Sequence, residues 1–267
     1  MPASVLGRHG VWGHLDSLDA AAARAYARRV EELGYGTLWV PETVGREPFA
    51  LLGMLAGETS RMNLGTSIVG IWGHDAQTTR LAAETLAEAT AGRFVLGLGV
   101  SHPHMTTRLH GQAFDRPLTR MREYLQAYRA AVYRGPTTDG PAPPILIAAL
   151  RERMTDLAAT DADGAFPYLV TPQRVAWMRA RLDAAVPGGH PLLAVTLPVA
   201  ADADRHGARA YLKPYLRTPT YQASWELQGF EPADWEPPGS DGLLETMVAL
   251  GSPDAHRERI AALHDAG

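Results

Sequence analysis

Short apolar runs alternate with longer amphipathic stretches along most of the chain. Between positions 16 and 33 apolar residues recur at helical spacing, and the run TLWV follows at 37–40. The same alternation predicts strands at 8–12, 37–40, 63–69, 94–99, 145–148, 164–166 and 192–199, with helices between them. Near-continuous apolar strands joined by helices are typical of a parallel sheet with right-handed crossovers. The pattern therefore predicts an α/β fold.

Two segments depart from this rhythm. Residues 101–117 contain His102, His104 and His110 and predict a loop longer than ordinary connections, which makes it a candidate functional loop. Residues 202–245 combine many prolines with aromatic side chains and predict a helix plus an irregular insertion. The aromatic residues between Tyr211 and Trp235 are compatible with a substrate lid, a dimer contact or an insertion core.

Length and composition narrow the class of protein. The 267 residues suit one closed barrel of eight βα units, which typically needs about 250 residues. With 46% hydrophobic and 20% charged residues the chain has ordinary globular usage, and a net charge of −4 offers no basic face for nucleic acid or membrane. The absence of cysteine excludes disulfides, thiolate metal sites and a cysteine nucleophile.

The chain also lacks the sequence signals of export and membrane insertion. No apolar run approaches the roughly 18 residues of a membrane span, and the N-terminus MPASVLGRHG has no signal-peptide pattern. We therefore expect a cytoplasmic protein. Lys213 is the one lysine among 25 basic residues, a bias typical of GC-rich, actinobacterial-like genomes.

Motifs between residues 60 and 102 resemble a known family. GTSI at 65–68 ends a predicted strand, and GRFVLGLG at 92–99 forms the next one after a helix. This order resembles the bacterial luciferase-like oxidoreductases, and VSH at 100–102 resembles the branch that uses coenzyme F-420. Further matching pieces follow in the family's order at 31–42, 116–125, 145–172 and 251–267.

The resemblance implies a (β/α)₈ TIM barrel as a single domain over residues 1–267, with a flavin or deazaflavin across its C-terminal mouth. It also implies a non-proline cis peptide within Ser67–Val69. The family continues beyond its last matching helix with a further strand and helix. The eighth βα unit is therefore predicted to be missing or truncated, with an insertion at roughly 202–245. A homodimer and a flavin or F-420 reductase as reductant source are compatible with the family.

Two residues are candidates for proton transfer. His102 follows the fourth predicted strand, where a near-neutral pKa would suit it to proton handling beside a hydride step. Glu42 ends the second strand and would place a carboxylate over the mouth. The competing interpretations are a surface-loop histidine and an exposed loop acid.

The candidate cofactor-binding residues lie at the ends of successive predicted strands. They are Thr66, Ser67, Ile68, Val69, Gly70, Gly99, Val100, Ser101, Ala148, Ala149, Leu150, Gly164, Ala165 and Phe166. Gly97 and Gly99 are predicted to let the backbone approach a flat ring closely. The segments at 148–150 and 164–166 are predicted to hold a cofactor phosphate, with tight barrel packing as the alternative.

The remaining candidates concern the substrate and metals. His14, Trp72 and His74 are predicted to line a substrate pocket, and the histidine spacing predicts no metal site. The leading functional hypothesis is hydride transfer between coenzyme F-420 and a small organic substrate. The alternatives are a two-component monooxygenase using reduced FMN and a cofactor-free barrel with a binding or structural role.

Overall fold

Parallel strands form the centre of the molecule. A computed structural model of the chain describes residues 6–267. The strands are β1 Gly10–Trp12, β2 Thr37–Val40, β3 Asn63–Thr66, β4 Val69–Gly70, β5 Phe94–Gly99, β6 Ile145–Ile147, β7 Gly164–Ala165, β8 Leu192–Leu193, β9 Val199–Ala200 and β10 Ala249–Leu250. Seven of them pair in the order β1-β2-β3-β5-β6-β7-β8, all parallel, and β4 also pairs with β5. The predicted α/β class is confirmed.

Helices connect the strands of this sheet and continue beyond it. They are α1 Ala20–Glu32, α2 Pro48–Leu55, α3 Ala76–Ala89, α4 Pro103–His110, α5 Pro117–Ala130, α6 Glu152–Thr160, α7 Pro172–Ala185, α8 Arg205–Leu216, α9 Pro219–Glu226, α10 Pro232–Trp235, α11 Asp241–Met247 and α12 Pro253–Ala266. Local sequence sets several starts. The side chains of Asp19, Asp75 and Thr171 accept backbone N–H groups at the first turns of α1, α3 and α7. No helix within residues 6–267 has the length and apolar character needed to cross a membrane.

Both faces of the sheet are buried. Side chains alternate between faces along a strand, so Leu38 and Val40 pack towards the helices while Trp39 belongs to a second cluster. In that second cluster Trp39 meets Phe166 edge to face, with ring centroids 4.9 Å apart. The interior of the curled sheet is therefore filled by side chains.

The region predicted as an irregular insertion is helical. Helices α8 to α11 occupy most of residues 205–247 and share a core that includes Trp225 and Leu243, both 0% exposed. Pro219 and Pro232 begin helices, where the missing N–H would have no partner in any case. A high proline content therefore does not prevent helix formation here, and the expectation of irregular structure is wrong.

Two smaller predictions also fail. The predicted loop at 101–117 contains α4, which starts at Pro103. The predicted strand at 192–199 is split into β8 and β9, and β9 pairs with β10 in a separate two-stranded sheet. Pro198 lies between the two pieces and has no N–H for a ladder bond.

Within residues 6–267, β1 and β8 are the two ends of the curled sheet. The curled parallel sheet of seven strands is therefore confirmed, and closure into a (β/α)₈ barrel stays a prediction. The missing or truncated eighth unit and the single-domain organisation stay predictions.

Candidate active site at the carboxyl ends of the strands

A cis peptide bond interrupts the third predicted strand. The bond joins Ser67 and Ile68, neither of which is proline, and it separates β3 from β4. Neighbouring segments hold it on both sides. The Ser67 N–H donates to the Val40 carbonyl at 2.8 Å, and the Ser67 carbonyl accepts the Trp12 indole N–H at 3.2 Å. The family-based prediction of a cis bond within Ser67–Val69 is confirmed.

The glycines of β5 make room for this segment. A Cβ on Gly97 would lie 2.0 Å from the Thr66 carbonyl oxygen, and one on Gly99 would lie 2.2 Å from Ile68 Cδ1. The Thr66 hydroxyl fixes the same contact by donating to the Gly97 carbonyl at 2.9 Å and accepting its N–H at 2.8 Å. The chain's own backbone and the Ile68 side chain therefore lie against these glycines, and their approach to a flat ring stays a prediction.

Glu42 joins two parts of the site. Its Oε2 accepts the Gly70 N–H at 2.6 Å, and its Oε1 lies 2.8 Å from His74 Nε2. Both side chains are largely buried, with 23% of Glu42 and 16% of His74 exposed. The hydrogen bond to Glu42 raises the pKa of His74 above its ordinary value, although burial opposes the shift. The pair thus favours an imidazolium at His74.

His102 has the opposite electrostatic environment. It is the N-cap residue of α4 and follows Ser101, whose φ of 54° turns the chain through the left-handed region. Its Nδ1 is buried without a hydrogen-bond partner. Burial, and then the neighbouring His104, lower the pKa of His102 to about 4. The premise of a near-neutral pKa at His102 is wrong, because the imidazole is uncharged at neutral pH.

The structure brings several predicted cofactor residues together. Gly70 and Gly99 are register partners of β4 and β5, which places Val69, Val100 and Ser101 beside them. A Cβ on Gly99 would also lie 3.4 Å from Ala148 Cβ. Ser67 Oγ is buried there without a partner, as is His102 Nδ1. Two unsatisfied polar atoms beside apolar strand ends fit the hydrogen-bonding edge of a flavin-type ring.

Other predicted cofactor residues lie within the barrel wall. A Cβ on Gly164 would lie 2.0 Å from the Leu192 carbonyl oxygen, and Ala165 is 0% exposed. The Phe166 N–H donates to the Ile147 carbonyl at 2.9 Å, so it is not free to bind phosphate. These three residues pack between strands, as the alternative interpretation held.

The segment at 148–150 is fixed by a side chain of α7. Ala149 is 1% exposed, and the Leu150 carbonyl accepts Arg174 Nη2 at 2.6 Å. The Arg174 side chain is itself buried, and its guanidinium lies over the Trp177 ring at 3.8 Å. Arg174 therefore fixes the turn from β6 into α6. The phosphate contact at 148–150 stays a prediction.

The three predicted substrate residues have different surroundings. His14 is exposed and lies 3.5 Å from Asp16. Trp72 is buried, and its indole N–H donates to the Val100 carbonyl at 2.7 Å. His74 is paired with Glu42, as described above. Trp72 thus ties two strand ends together, and His74 is the residue of the three that shares a contact with a predicted catalytic group.

Two residues that contact His102 are not among the predicted catalytic, cofactor or substrate residues. The His104 ring stacks parallel to the His102 ring with centroids 6.1 Å apart, and the Tyr221 ring lies 5.5 Å away on α9. His104 could have been found from its spacing of two residues. Tyr221 is 119 positions away in sequence, within the unfamiliar region, so no local signal could identify it. Within residues 6–267, no three His, Cys, Asp or Glu side chains cluster as metal ligands.

Comparison with solved structures supports the same architecture. The chain superposes on an F-420-dependent secondary alcohol dehydrogenase, solved with an F-420–acetone adduct, with a TM-score of 0.76 over 97% of this chain and 90% of that one, at 14% identity. It superposes on the coenzyme F-420-dependent tetrahydromethanopterin reductase of Methanopyrus kandleri with a TM-score of 0.73 at 17% identity, over 97% and 90% of the two chains. The FMN-bound oxygenating component of 3,6-diketocamphane monooxygenase from Pseudomonas putida gives 0.70 at 14% identity, over 97% and 88%.

Sequence comparison gives the family. A Mycobacterium tuberculosis protein named as a coenzyme F-420-dependent oxidoreductase is 28% identical over 78% of this chain and 69% of its own length. The 5,10-methylenetetrahydromethanopterin reductase of Methanolobus tindarius is 30% identical over 39% of this chain, but only 32% of that enzyme is matched. The family model for luciferase-like monooxygenases matches residues 3–267. The chain therefore belongs to the luciferase-like monooxygenase family.

Proposed function

We propose that this protein is an oxidoreductase that transfers hydride between coenzyme F-420 and a small carbonyl or alcohol substrate. The observation that carries the proposal is that two buried polar atoms have no hydrogen-bond partner: Ser67 Oγ at the cis peptide, and His102 Nδ1 just beyond the carboxyl end of β5. The relatives named for F-420 chemistry support the choice of cofactor. When bound, the deazaflavin supplies a two-electron carrier that accepts or donates hydride.

The chain's own residues divide the proton chemistry between two histidines. His102 is uncharged at neutral pH, so it donates or accepts a hydrogen bond without bringing charge to the ring. His74 is held towards its protonated form by Glu42 and is the better proton donor. Groups whose pKa values are pushed apart in this way commonly serve as separate base and acid. We therefore assign proton donation to His74, with Glu42 holding it, and substrate orientation to His102.

Three further residues fix the shape of the site through hydrogen bonds between strand ends. Thr66, Trp72 and Trp12 cross-link strand ends through hydrogen bonds to neighbouring backbone, which fixes the surface that would face the ring. Holding reacting groups in the correct geometry can lower a reaction barrier by about 7–11 kcal/mol. The substrate assignment rests on the structural neighbour solved as a secondary alcohol dehydrogenase with an F-420–acetone adduct.

Binding of the two cofactors tests the proposal. The purified protein is titrated with oxidised F-420 and separately with FMN, following the fluorescence of each cofactor. We expect saturable F-420 binding, and we expect Ser67→Ala to weaken it about five- to tenfold, the worth of about one hydrogen bond. Ser60→Ala is the matched control, since its exposed hydroxyl precedes the opposite end of β3. Absence of F-420 binding contradicts the proposal.

The second candidate is an FMN-dependent monooxygenase, favoured by the FMN-bound structural neighbour. Tight binding of FMN alone, with oxygen consumption when reduced FMN is supplied, would establish this alternative. Binding of neither cofactor would favour the remaining hypothesis, a cofactor-free barrel with a binding or structural role.

A further inference from the structure

Tyr221 connects the helical region α8–α11 to His102, the residue proposed to orient the substrate. It is 8% exposed and lies near the start of α9, where its N–H donates to the Thr218 carbonyl at 3.0 Å. Its ring covers one side of the His102 imidazole, at 5.5 Å and an interplanar angle of 48°. His104 covers another side in parallel stacking. The imidazole of the half-buried His102 is thus flanked by two aromatic rings from different helices.

The helical region is fixed to the barrel at points that flank this contact. The Gln228 side-chain oxygen accepts the Thr171 N–H at 2.7 Å, just before α7. The hydroxyl groups of Tyr168 and Tyr211 are also hydrogen-bonded, which joins the end of β7 to α8. Tyr221 itself packs against Tyr215 with centroids 5.0 Å apart. These attachments hold the Tyr221 ring against His102 without a hydrogen bond between them.

We propose that Tyr221 is a positioning residue for His102, excluding water from the imidazole and fixing its orientation at the mouth. The inference rests on the role assigned to His102 in the proposed function. It gives the helical region α8–α11 a part in the site, because a residue from that region would set the protonation behaviour of a barrel residue. Removing a buried neighbour admits water, and water favours the charged imidazolium.

The groups that face His102 define the expected titration. His104 from α4 is the titratable neighbour that disfavours a charge on His102, and Tyr221 from α9 is the other ring against it. Tyr215 and Tyr168 stand behind Tyr221 and touch its ring. A change at Tyr221 should therefore act on His102 mainly through hydration.

The test is an NMR titration of cofactor-free protein with ¹³C-labelled histidine. The chain has 10 histidines, and the His102 signal is assigned by its loss in His102→Gln. In Tyr221→Leu we expect the His102 midpoint to rise by about one pH unit or more towards the ordinary value. Tyr221→Phe keeps the ring and should leave the midpoint unchanged. Trp235→Leu is the matched control, because the Trp235 ring packs against Trp225 in the same helical core and is not among the rings packed against Tyr221.

The outcomes separate positioning from general packing. An unchanged midpoint in Tyr221→Leu overturns the proposal, and so does an equal shift in Trp235→Leu. If Tyr221→Leu fails to fold, a nuclear Overhauser effect between the His102 and Tyr221 rings of the wild-type protein decides the matter, and its absence refutes the contact. The two proposals can also fail separately. If the His102 midpoint shifts in Tyr221→Leu but His102→Gln retains full hydride transfer, Tyr221 positions His102 and the proposed role of His102 in the reaction is contradicted.

Discussion

Replacing Glu42 by glutamine should remove the charge that holds His74 protonated. The glutamine side chain keeps one oxygen, which can still accept the Gly70 N–H that Glu42 accepts at 2.6 Å. Its amide NH₂ then faces His74 Nε2, which Glu42 now contacts at 2.8 Å. Two donors cannot share that contact, so His74 must present Nε2 as a neutral acceptor. The substitution should therefore lower the pKa of His74 and remove the proposed proton donor.

The expected loss of stability follows from the two hydrogen bonds of the Glu42 carboxylate. A hydrogen bond to a charged group contributes about 1.5–3 kcal/mol, against about 1 kcal/mol for a neutral one. Glu42→Gln exchanges charged for neutral partners, so we expect a loss of about 1–2 kcal/mol in the free energy of unfolding. Glu42→Ala also leaves the Gly70 N–H without its acceptor, and should cost about 2–4 kcal/mol.

The loss should depend on pH with a defined sign. The pKa of His74 is raised in the folded state. Its contribution to the free energy of unfolding is therefore fully present below the unfolded-state pKa and is lost as pH rises through the folded-state pKa. The difference between wild type and Glu42→Gln should therefore be larger at about pH 6 than at about pH 9. Urea unfolding followed by circular dichroism at both pH values measures it. A difference that is equal at the two pH values, or larger at the alkaline one, would refute the reasoning.

Two further predictions test the close approaches at the strand ends. Gly97→Ala would bring a Cβ to 2.0 Å from the Thr66 carbonyl oxygen, so we expect the free energy of unfolding to fall by about 3 kcal/mol or more in thermal or urea unfolding. Gly57→Ala is the control, because open space surrounds Gly57 and its stability should change little. Stability of Gly97→Ala matching that of Gly57→Ala would contradict the geometry. In Gly73→Ala the new Cβ would meet His110 Cε1 at 2.6 Å, the end of a movable side chain, so we expect less than about 1 kcal/mol of destabilisation but increased proteolysis within α4. Unchanged cleavage of α4 would show that His110 does not hold that helix.

Much of the barrel could be predicted because its determinants are local. The strands at 37–40 and 94–99 were predicted with their observed bounds, since each is an uninterrupted apolar run between helical stretches. The helix starting at Ala76 was predicted because the apolar spacing of an amphipathic helix is visible in a single segment. The cis bond at Ser67 was expected from family resemblance, while the hydrogen bonds that surround it involve β1 and β2 and have no trace in the local sequence.

The site was predicted less completely, because its chemistry depends on burial. His102 and Glu42 were identified from their positions at strand ends, which the alternation of strands and helices sets. The pKa of His102 was misjudged, because it is lowered first by burial and then by the neighbouring His104, and burial depends on how distant segments such as α9 pack against the ring. The pairing of Glu42 with His74 joins residues 32 positions apart and follows from strand order.

Local sequence patterns were sufficient to predict the α/β class, most of the parallel strands along the chain and the candidate side chains at their ends, since hydrophobic periodicity and glycine placement act over a few residues. Three-dimensional packing was needed to establish in which direction the pKa of each histidine shifts, which glycines face backbone, and that residues 205–247 form a packed helical region touching the candidate site. These properties depend on contacts between segments far apart in the chain. Their energies come from desolvation and close packing, which no local pattern encodes.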